Sequence, residues 1–426
     1  MTTKVEVRAD GIPLGAVLSV GSELLLGDLV DTNAAWVSRQ LRDLGVDVVH
    51  HLAVRDNVDE IVGALRWLCR RAHLIVVGGG LGPTNDDLTR EAIAAAARVE
   101  LRSHDDLVDA IAARFARLNR TMPAQNLKQA NIPDGANIFP PVGTAPAFAI
   151  TLTSPSPTRV IALPGVPWEL RELFARHVVD EVTRIAGQRV TVTRSVHIAG
   201  LGESDVAATV EPLVARHEGV TLAFLAHANE VEVRLTVSAD VVDAARRRSQ
   251  PVVDEVVTAL GSAVAGVDDE QLEDVVVRLL RDRGQRLALA ESATAGDIAA
   301  RLGRVPGASH VLAGGLVVYS NRAKIDIGAI APDMLAEHSA VSESVTAQLA
   351  ANARKLLDAD WGLAVTGVAG PEPVDDVPVG TIIWALAHPD GSTEVHQRRS
   401  PGDRAQVIAR LGTAGLDLLR RRIANL

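Results

Sequence analysis

Apolar residues in the N-terminal part of the chain form short uninterrupted runs, and the segments between these runs have helical periodicity. Uninterrupted apolar runs are typical of strands that are buried on both faces of a parallel sheet. We therefore predict an α/β unit in which helices cover both faces of the sheet. The predicted strands are Gly15–Val20, Val46–Leu52, His73–Val77, Ala147–Thr153 and Thr158–Leu163, and the predicted helices are Asp31–Leu44, Asn57–Arg71, Leu88–Arg98, Ser103–Leu118 and Pro167–Ile185.

The pattern changes in the middle of the chain and then changes back. Gln188–Ile198 and Glu230–Val237 alternate apolar and polar residues, which is typical of half-exposed antiparallel strands. With helices over Glu203–Arg216 and Val241–Leu260, they predict a small α+β module. A second α/β unit follows, with strands Arg286–Ala290, Val311–Ser320, Trp361–Val365 and Val379–Ala387 and helices Asp268–Arg283, Ser292–Leu302, Ser342–Leu357 and Asp403–Ile423. We divide the chain into three domains, 1–184, 185–266 and 267–426.

Composition and charge narrow the class of protein. A net charge of −10 argues against nucleic-acid binding through a general basic surface. Cys69 is the only cysteine, which excludes an intrachain disulfide and a zinc site built from thiolates. Met1–Gly11 lacks the apolar core of a signal peptide, and no apolar run reaches the roughly 18 residues that a membrane helix needs. We expect a cytoplasmic protein without a membrane partner.

A glycine-rich segment, Gly78–Asp87, follows the third predicted strand directly. Glycine N–H groups and a helix start can hold phosphate oxygens. Asp86 and Asp87 would repel phosphate unless a divalent metal lay between them. The segment therefore indicates phosphate and metal chemistry, although Asp87 could instead cap the helix Leu88–Arg98.

Other polar residues follow neighbouring strands of the same predicted sheet. Glu23 comes after the first strand and Asp56 after the second, so both lie at the carboxyl edge, where ligands bind in open α/β sheets. With Asp86 and Asp87 they are candidate ligands for a metal or a water molecule. Each alone could equally be a helix cap or a solvated side chain. Lys128 is a candidate phosphate partner that could instead cover a helix surface.

In the last unit, Ser292 follows a predicted strand and opens a predicted helix. Its hydroxyl could attack a substrate where backbone N–H groups stabilise an oxyanion, or it could be an ordinary N-cap. A nucleophilic serine needs a base, and His310 and His338 stand in isolated contexts. Tyr319 and Lys324 follow the next strand, and a serine with a neutral lysine can hydrolyse amides.

Lysine is rare in this chain, which makes each lysine informative. Of 43 basic residues only Lys4, Lys128, Lys324 and Lys355 are lysine, and only lysine can lose its proton near neutral pH when it is desolvated. Lys324 could still be a solvated loop charge. The loop Val365–Pro371 could hold a phosphate, and Arg404 could pair with one at the start of the last helix or be a plain surface residue.

Four strings of the first unit, GSELLLGDLVDTNAAWVSRQL, GGGLGPTNDDLTREA, PVGTAPAF and LPGVPWEL, resemble the N-terminal domain of the competence/damage-inducible protein A (CinA) family. The resemblance implies a three-layer α/β/α sandwich similar to molybdopterin-binding domains. It also implies an ADP-ribose pyrophosphatase that needs a divalent metal, Mg²⁺ or a similar ion. A pterin-binding function would use the same pocket. The implied phosphate-binding residues are Gly79, Gly80, Gly82 and Thr84, and Asp86 and Asp87 would serve the metal or the attacking water.

The strings ESATAG, VPGASHVLAGGLVVYSNRAKIDIG, HSAVSESV, LAVTGVAGP and VGTIIWAL resemble the C-terminal domain of the same family, a nicotinamide mononucleotide amidohydrolase. The resemblance implies that Ser292 attacks the carboxamide and Lys324 manages the proton, with no metal. The products would be nicotinate mononucleotide and ammonia. The implied or candidate substrate-binding residues are Tyr319, which we also count as catalytic, Thr366, Arg404, Glu291, Thr294, Gly296, Asn321 and Gly367.

The middle module resembles the KH-like connector of the family, but it lacks a basic Gly-Xaa-Xaa-Gly clamp, so we expect no RNA binding. The resemblance also implies a homodimer. The chain departs from the family in Ala293–Gly296, where Cys-Thr-Gly-Gly is usual, and in Glu372–Val377, which is acidic where the family is glycine-rich. We predict a bifunctional pyridine-nucleotide hydrolase; the alternative is a nucleotide-binding or regulatory protein without catalysis.

Overall fold

The structure is a computed structural model that describes residues 12–187, 190–227 and 230–425. Met1–Gly11 and the predicted strand start at Gln188 therefore lie outside the described residues. The chain divides into two compact units. The first runs up to Val192 and includes Ser238–Ala245, and the second contains Thr193–Val237 and everything from Arg246 onward.

The first unit is built on a six-stranded sheet with the order β2-β1-β3-β8-β7-β6. The first four strands are parallel, while β7 and β6 join in antiparallel pairs. A short antiparallel pair, β4 with β5, lies beside it. The strands are β1 (Leu14–Val20), β2 (Asp47–Val54), β3 (Leu74–Gly78), β4 (Leu101–Ser103), β5 (Asn131–Pro133), β6 (Asn137–Phe139), β7 (Ala147–Leu152) and β8 (Thr158–Leu163).

Helices pack on both faces of this sheet, and each face has its own apolar core. This arrangement confirms the predicted three-layer α/β/α sandwich. Asp31 caps the second helix, because its carboxylate accepts a hydrogen bond from Ala34 N at 2.8 Å. The helices are α1 (Ser22–Leu26), α2 (Thr32–Asp43), α3 (Val58–Leu68), α4 (Thr89–Ala97), α5 (Asp105–Arg117), α6 (Pro167–Leu173) and α7 (Val179–Ala186), the last two joined by a π-helical turn over Phe174–Val178.

The connector module is a four-stranded antiparallel sheet, in the order β10-β11-β9-β12, with two helices. The sequence pattern missed β10 and β12. β12 has only four residues, and β10 is mostly apolar and so lacks the alternation of apolar and polar residues seen in β11. The elements are β9 (Val190–Ala199), α8 (Glu203–Val214), β10 (Val220–His227), β11 (Glu230–Ala239), α9 (Val242–Leu260) and β12 (Val264–Val267).

The last part of the second unit is a five-stranded mixed sheet with the order β14-β13-β15-β16-β17. β13 lies between β14 and β15 and is parallel to both, and apolar cores fill both faces of the sheet. The elements are α10 (Leu272–Asp282), β13 (Leu287–Glu291), α11 (Asp297–Gly303), β14 (Leu312–Val317), α12 (Asn321–Asp326), α13 (Pro332–His338), α14 (Glu343–Leu356), β15 (Trp361–Gly367), β16 (Thr381–Ala387), β17 (Thr393–Arg399) and α15 (Arg404–Ala424).

The sequence pattern did not predict α12, α13 or β17. Helix α11 also begins later than we predicted. Asp297 opens α11, and Gly296 is its N-cap, so the prediction that Ser292 starts this helix is wrong. The residues Ser292–Gly296 form a turn between β13 and α11. None of the described helices combines the length and the apolar character that a membrane span requires.

Candidate active site

Ser292 directly follows β13, and its hydroxyl contacts the side chain of Lys324. Lys324 Nζ donates a hydrogen bond to Ser292 Oγ at 3.0 Å and a second one to the carbonyl of Val318 at 3.2 Å. The two side chains come from segments 32 residues apart in sequence. Ser292 is therefore not an N-cap, and its hydroxyl instead contacts the amine of Lys324.

Lys324 is buried, with only 2% of its surface exposed. Burial lowers the pKa of the Lys324 ammonium, because the charged form loses its hydration. No carboxylate among the described residues forms an ion pair with it. The alternative of a solvated loop charge is wrong, and the environment instead favours the neutral amine that can accept a proton.

The short helix α12 places Lys324 beside the strand end. Ser320 caps this helix, since its Oγ accepts a hydrogen bond from Ala323 N at 3.1 Å. Lys324 lies on the buried side of the helix, and exposed polar residues such as Arg322 lie on the other. The apolar pattern gave no helix here because α12 spans only six residues and buries a lysine.

Glu291 organises the turn that carries Ser292. Its carboxylate accepts hydrogen bonds from Thr294 Oγ1 at 2.7 Å and from the backbone N–H groups of Gly296 (3.0 Å), Ile298 (3.1 Å) and Ala299 (2.8 Å). The side chain is 1% exposed. We therefore assign Glu291, Thr294 and Gly296 a role in shaping the turn, in place of the substrate contacts that were expected.

A cavity of about 190 Å³ opens above the Ser292–Lys324 pair. Six of the predicted residues line it, and the acidic loop contributes a carboxylate that the prediction did not assign to the site. The cavity is lined by the predicted residues Ser292, Tyr319, Asn321, Lys324, Gly367 and Arg404, and by Ala293, Ala340, Val341, Val368, Ala369, Gly370, Glu372 and Val374.

Arg404 and Tyr319 form one wall of this cavity. Arg404 donates to the carbonyl of Gly370 at 2.7 Å and to the hydroxyl of Tyr319 at 2.7 Å. No described hydrogen bond joins Tyr319 to Ser292 or Lys324, so its geometry suits substrate positioning better than proton transfer. Glu372 is the acidic residue among those that line the cavity.

Thr366 does not line the cavity, although the resemblance implied that it holds substrate. It is fully buried, and its hydroxyl lies 2.6 Å from that of Thr346 on α14. The hydrogen bond joins β15 to α14 beneath the site. We therefore assign Thr366 to the support of the strand, and its neighbour Gly367 reaches the cavity instead.

In the first unit, the loops after β1, β2, β3 and β8 meet at the carboxyl edge of the parallel strands. The glycine loop follows β3 and runs against the end of β1, where a Cβ on Gly79 would lie 2.2 Å from the Val20 carbonyl oxygen. Only glycine fits there, and its φ of 100° also favours glycine. The buried side chain of Arg90 holds this loop in place, because its guanidinium donates hydrogen bonds to the carbonyls of Leu81 at 2.7 Å and Gly82 at 2.8 Å.

Asp87 folds back over the glycine loop. Its carboxylate accepts hydrogen bonds from Gly82 N (2.7 Å) and from the backbone N–H and hydroxyl of Thr84 (2.8 and 2.5 Å). The alternative that Asp87 caps the next helix is wrong, because Leu88 holds the N-cap position and no side chain caps α4. Asp87 orders the loop, and its oxygens are largely used within it.

Lys128 and Asp56 are also held by local contacts. Lys128 Nζ donates to the carbonyls of Thr84 (3.1 Å) and Asp87 (2.7 Å) and lies 3.4 Å from Glu91. This places it as a clamp on the glycine loop, in place of the expected phosphate partner. Asp56 accepts hydrogen bonds from the backbone N–H and the hydroxyl of Ser22, both at 2.8 Å.

The cavity of the first unit, about 240 Å³, lies beside β1 and α2. Of the predicted residues, Glu23 and Gly79 line it, together with Ser19, Asp31 and Asn33, which the prediction did not place in the site. Gly80, Gly82, Thr84, Lys128, Asp56, Asp86 and Asp87 are outside this lining.

The predicted metal ligands do not form a preformed metal site. Among residues 12–187, 190–227 and 230–425, no group of three or more His, Cys, Asp or Glu side chains is arranged to hold a metal ion. The carboxylates of Asp56 and Asp87 accept hydrogen bonds from nearby residues, and Glu23 and Asp86 are exposed. These residues do not fit a resident metal, and we derive no catalytic step through one.

Comparison with known proteins agrees with this architecture. Three family models match the chain: a probable molybdopterin binding domain over residues 16–184, the damage-inducible protein CinA KH domain over 193–266, and the CinA C-terminal domain over 269–423. A CinA-like protein of Frankia casuarinae is 43% identical over 420 residues, covering 96% of both chains. The chain belongs to the CinA family.

Further CinA relatives match over most of their length. A CinA-like protein of Anaeromyxobacter sp. is 40% identical over 408 residues, which cover 95% of this chain and 98% of the relative. Among solved structures, a CinA protein of Thermoplasma acidophilum has 36% identity and a TM-score of 0.36 and covers 39% of this chain and 98% of its own.

The turn after Ser292 holds a strained alanine at the point where this CinA chain departs from the expected glycine. Ala295 has a φ of 51°, in the left-handed region that disfavours a side chain. We predict that Ala295→Gly raises the midpoint of thermal unfolding by about 1–3 °C, because removing about 0.5–1 kcal/mol of strain outweighs the added flexibility of the unfolded chain. Differential scanning calorimetry measures this change.

Ala293→Gly is the matched control, since Ala293 lies in the same turn but has no positive φ. It is expected to leave the midpoint unchanged or to lower it. If Ala295→Gly lowers the midpoint as much as Ala293→Gly does, the backbone at residue 295 is not strained.

Proposed function

We propose that the last domain is an amidohydrolase that converts nicotinamide mononucleotide to nicotinate mononucleotide and ammonia. The observation that carries the proposal is the buried pair of Lys324 Nζ and Ser292 Oγ, 3.0 Å apart at the base of a cavity. A buried lysine without an acidic partner costs stability, and a hydrophobic residue would fill the same space more cheaply. Its pairing with a serine hydroxyl supports a role in catalysis.

In the first half of the reaction, neutral Lys324 accepts the proton of Ser292 while Oγ attacks the carboxamide carbon. The attack converts the carbonyl oxygen to an oxyanion in a tetrahedral intermediate. The intermediate collapses as the C–N bond breaks, and the Lys324 ammonium gives its proton to the departing amine, which leaves as ammonia. Ser292 is then acylated, and Lys324 is neutral again.

In the second half, Lys324 accepts a proton from a water molecule while the water oxygen attacks the acyl carbon. The ester bond to Ser292 breaks, the proton returns to Oγ, and nicotinate mononucleotide leaves. Tyr319 and Arg404 line the cavity as one hydrogen-bonded wall and are positioned to hold the substrate.

Removal of either reacting group tests the proposal. We expect Ser292→Ala and Lys324→Met each to lower ammonia release from nicotinamide mononucleotide at least about 100-fold, because nucleophile and base act as one unit. A coupled ammonia assay measures the rate.

The pH dependence of the wild-type enzyme gives a separate test. Wild-type kcat/KM should fall as the pH falls through the lowered pKa of Lys324, since the protonated amine cannot accept the Ser292 proton.

Lys355→Met provides the matched control, because Lys355 is an exposed lysine on α14 of the same domain. It should keep wild-type activity. Full ammonia release by Ser292→Ala would remove Ser292 from the mechanism, and a wild-type protein that binds the nucleotide but releases no ammonia would support the binding-protein alternative.

Glu372 gives a test of substrate choice at the same cavity. Its carboxylate lines the cavity and opposes a phosphate group that Arg404 attracts. We expect Glu372→Gln to raise kcat/KM for nicotinamide mononucleotide about 3–10-fold and to leave kcat/KM for nicotinamide riboside, which lacks the phosphate, nearly unchanged.

Asp376→Asn removes a charge from the same loop at an exposed residue outside the cavity lining. It should change neither substrate. An equal rise for both substrates with Glu372→Gln would mean that Glu372 acts on the ring or on the loop and does not repel the phosphate.

For the first domain we propose an ADP-ribose pyrophosphatase. The loops after β1, β3 and β8 line a cavity of about 240 Å³, which supports a nucleotide site there. This proposal can be tested through the glycine loop, whose conformation the activity should require. We predict that Asp87→Ala lowers AMP formation from ADP-ribose at least about 10-fold, because three hydrogen bonds that shape the loop are lost.

Asp109→Ala, an exposed substitution on α5, is the control and should keep full activity. Chromatography of the nucleotide products measures both variants. Unchanged AMP formation in Asp87→Ala would exclude Asp87 from the site, and the absence of AMP from the wild-type protein with added Mg²⁺ or Mn²⁺ would refute the pyrophosphatase proposal.

A further inference from the structure

Residues 372–377, which we call the acidic hairpin, form a tight turn beside the cavity of the candidate active site. Val374 and Val377 pair as an antiparallel bridge, in which the Val374 N–H donates to the Val377 carbonyl at 3.2 Å and the Val377 N–H donates to the Val374 carbonyl at 2.8 Å. The two residues between them, Asp375 and Asp376, have φ values of 45° and 61°. Positive φ at both central residues is the pattern of a type I′ turn, so this segment is a two-residue hairpin.

The acidic hairpin supplies one wall of the cavity. Glu372 and Val374 both line the cavity, and both side chains are exposed. An apolar side chain on such a wall can contact an apolar part of a ligand, while the Glu372 carboxylate acts on any charge that the ligand carries. The position of the hairpin therefore affects how the cavity treats charged and uncharged ligands.

The segment before α14 supplies another wall, which is held by the rest of the domain. Ala340 and Val341 line the cavity and are buried, and Val341 belongs to an apolar cluster on the sheet. The Ser342 hydroxyl fixes this segment to the helix, because it donates to the Ser339 carbonyl at 3.1 Å and accepts a hydrogen bond from Val345 N at 3.3 Å. This wall therefore has little freedom to move.

One side-chain contact joins the acidic hairpin to this second wall. Ser339 Oγ donates a hydrogen bond to the Asp375 carboxylate at 2.9 Å. Within the part of the chain that the structure describes, it is the only hydrogen bond between the acidic hairpin and another segment. The base of the hairpin is packed, since Val377 contacts the apolar cluster of Val341, but its tip is exposed. The position of the tip therefore depends on the Ser339–Asp375 hydrogen bond.

We propose that Ser339 and Asp375 form a specificity-determining pair, an inference that rests on the amidohydrolase function proposed above. Their hydrogen bond holds the acidic hairpin in place and keeps Glu372 beside the cavity. There the Glu372 carboxylate opposes the phosphate of nicotinamide mononucleotide, whereas nicotinamide riboside has no phosphate to repel. Without the hydrogen bond, the tip can move outward into water, which weakens the effect of the Glu372 charge. The pair therefore lowers the preference of the enzyme for the phosphorylated substrate.

The ratio of kcat/KM for nicotinamide mononucleotide to kcat/KM for nicotinamide riboside tests the proposal in the full chain. Ser339→Ala removes the hydroxyl and keeps Cβ, so the backbone at a φ of 66° is equally strained in both proteins. We expect this variant to raise the ratio about threefold through KM. Its kcat should change less than about twofold, because Ser292 and Lys324 stay in place.

Two further variants separate the hydrogen bond from other effects. Asp375→Gly removes the acceptor, leaves Ser339 in place and suits the φ of 45°, so it should raise the ratio as Ser339→Ala does, and it replaces that variant if circular dichroism shows Ser339→Ala to be misfolded. Asp375→Asn keeps an oxygen that can accept the hydrogen bond and should restore a ratio near that of the wild type. Ser344→Ala, at an exposed serine on α14, is the matched control and should change nothing.

The proposal also requires that the pair act through Glu372. In a protein that already carries Glu372→Gln, Ser339→Ala should change the ratio less than about 1.5-fold, because the charge that the pair positions is gone. A rise of the same size with and without Glu372→Gln would overturn the proposal, and so would an unchanged ratio in folded Ser339→Ala and Asp375→Gly proteins.

Hydrogen–deuterium exchange without any ligand distinguishes failure of this inference from failure of the proposed function. The Val374 and Val377 N–H groups should exchange at least about threefold faster in Ser339→Ala than in wild type or Ser344→Ala, because the tip is released. Equal exchange in all three proteins would show that the hydrogen bond does not hold the hairpin. A wild-type protein that releases ammonia from neither substrate would refute the amidohydrolase, and with it the substrate preference, whatever the exchange result.

Discussion

The C-terminal domain of this CinA chain depends on a buried amine that has no acidic partner among the described residues. Lys324 gives up its hydration to reach Ser292, and its hydrogen bonds go to a hydroxyl and to the Val318 carbonyl. An ammonium in that position would be strongly disfavoured, whereas a neutral amine is well accommodated. The fold must therefore hold α12 firmly against the end of β13, because a small outward movement would rehydrate and recharge the lysine.

Glu291, the residue before Ser292, is also buried, but its charge is stabilised by hydrogen bonds. Its buried carboxylate receives four hydrogen bonds, and these bonds define the turn between β13 and α11. The turn can then present the Ser292 hydroxyl toward α12 while its backbone N–H groups are fixed by the carboxylate. Rigid support of this kind is what a nucleophile needs in order to meet a base at hydrogen-bond distance.

Sequence patterns predicted most of this architecture because buried strands and amphipathic helices leave regular apolar spacing. The convergence of Ser292 and Lys324 was also predictable, since both follow parallel strands of one sheet. The patterns failed where a short polar element is held by tertiary contacts, as in α12, and where a polar side chain binds its own loop. Asp87 and Thr366 illustrate the second failure: their positions after strands suggested ligand contacts, but local donors and acceptors use their oxygens.

The difference between a supporting residue and a binding residue lies in unused hydrogen-bonding capacity. Asp87 and Lys128 already form hydrogen bonds with the backbone of the glycine loop, so they support its conformation. Lys324, in contrast, keeps a reactive lone pair in its neutral form. Because burying an amine without an ionic partner costs free energy, the retention of Lys324 supports a functional role for this group. Residue type and spacing locate the polar groups, but only the folded arrangement reveals which of them are still available to a ligand.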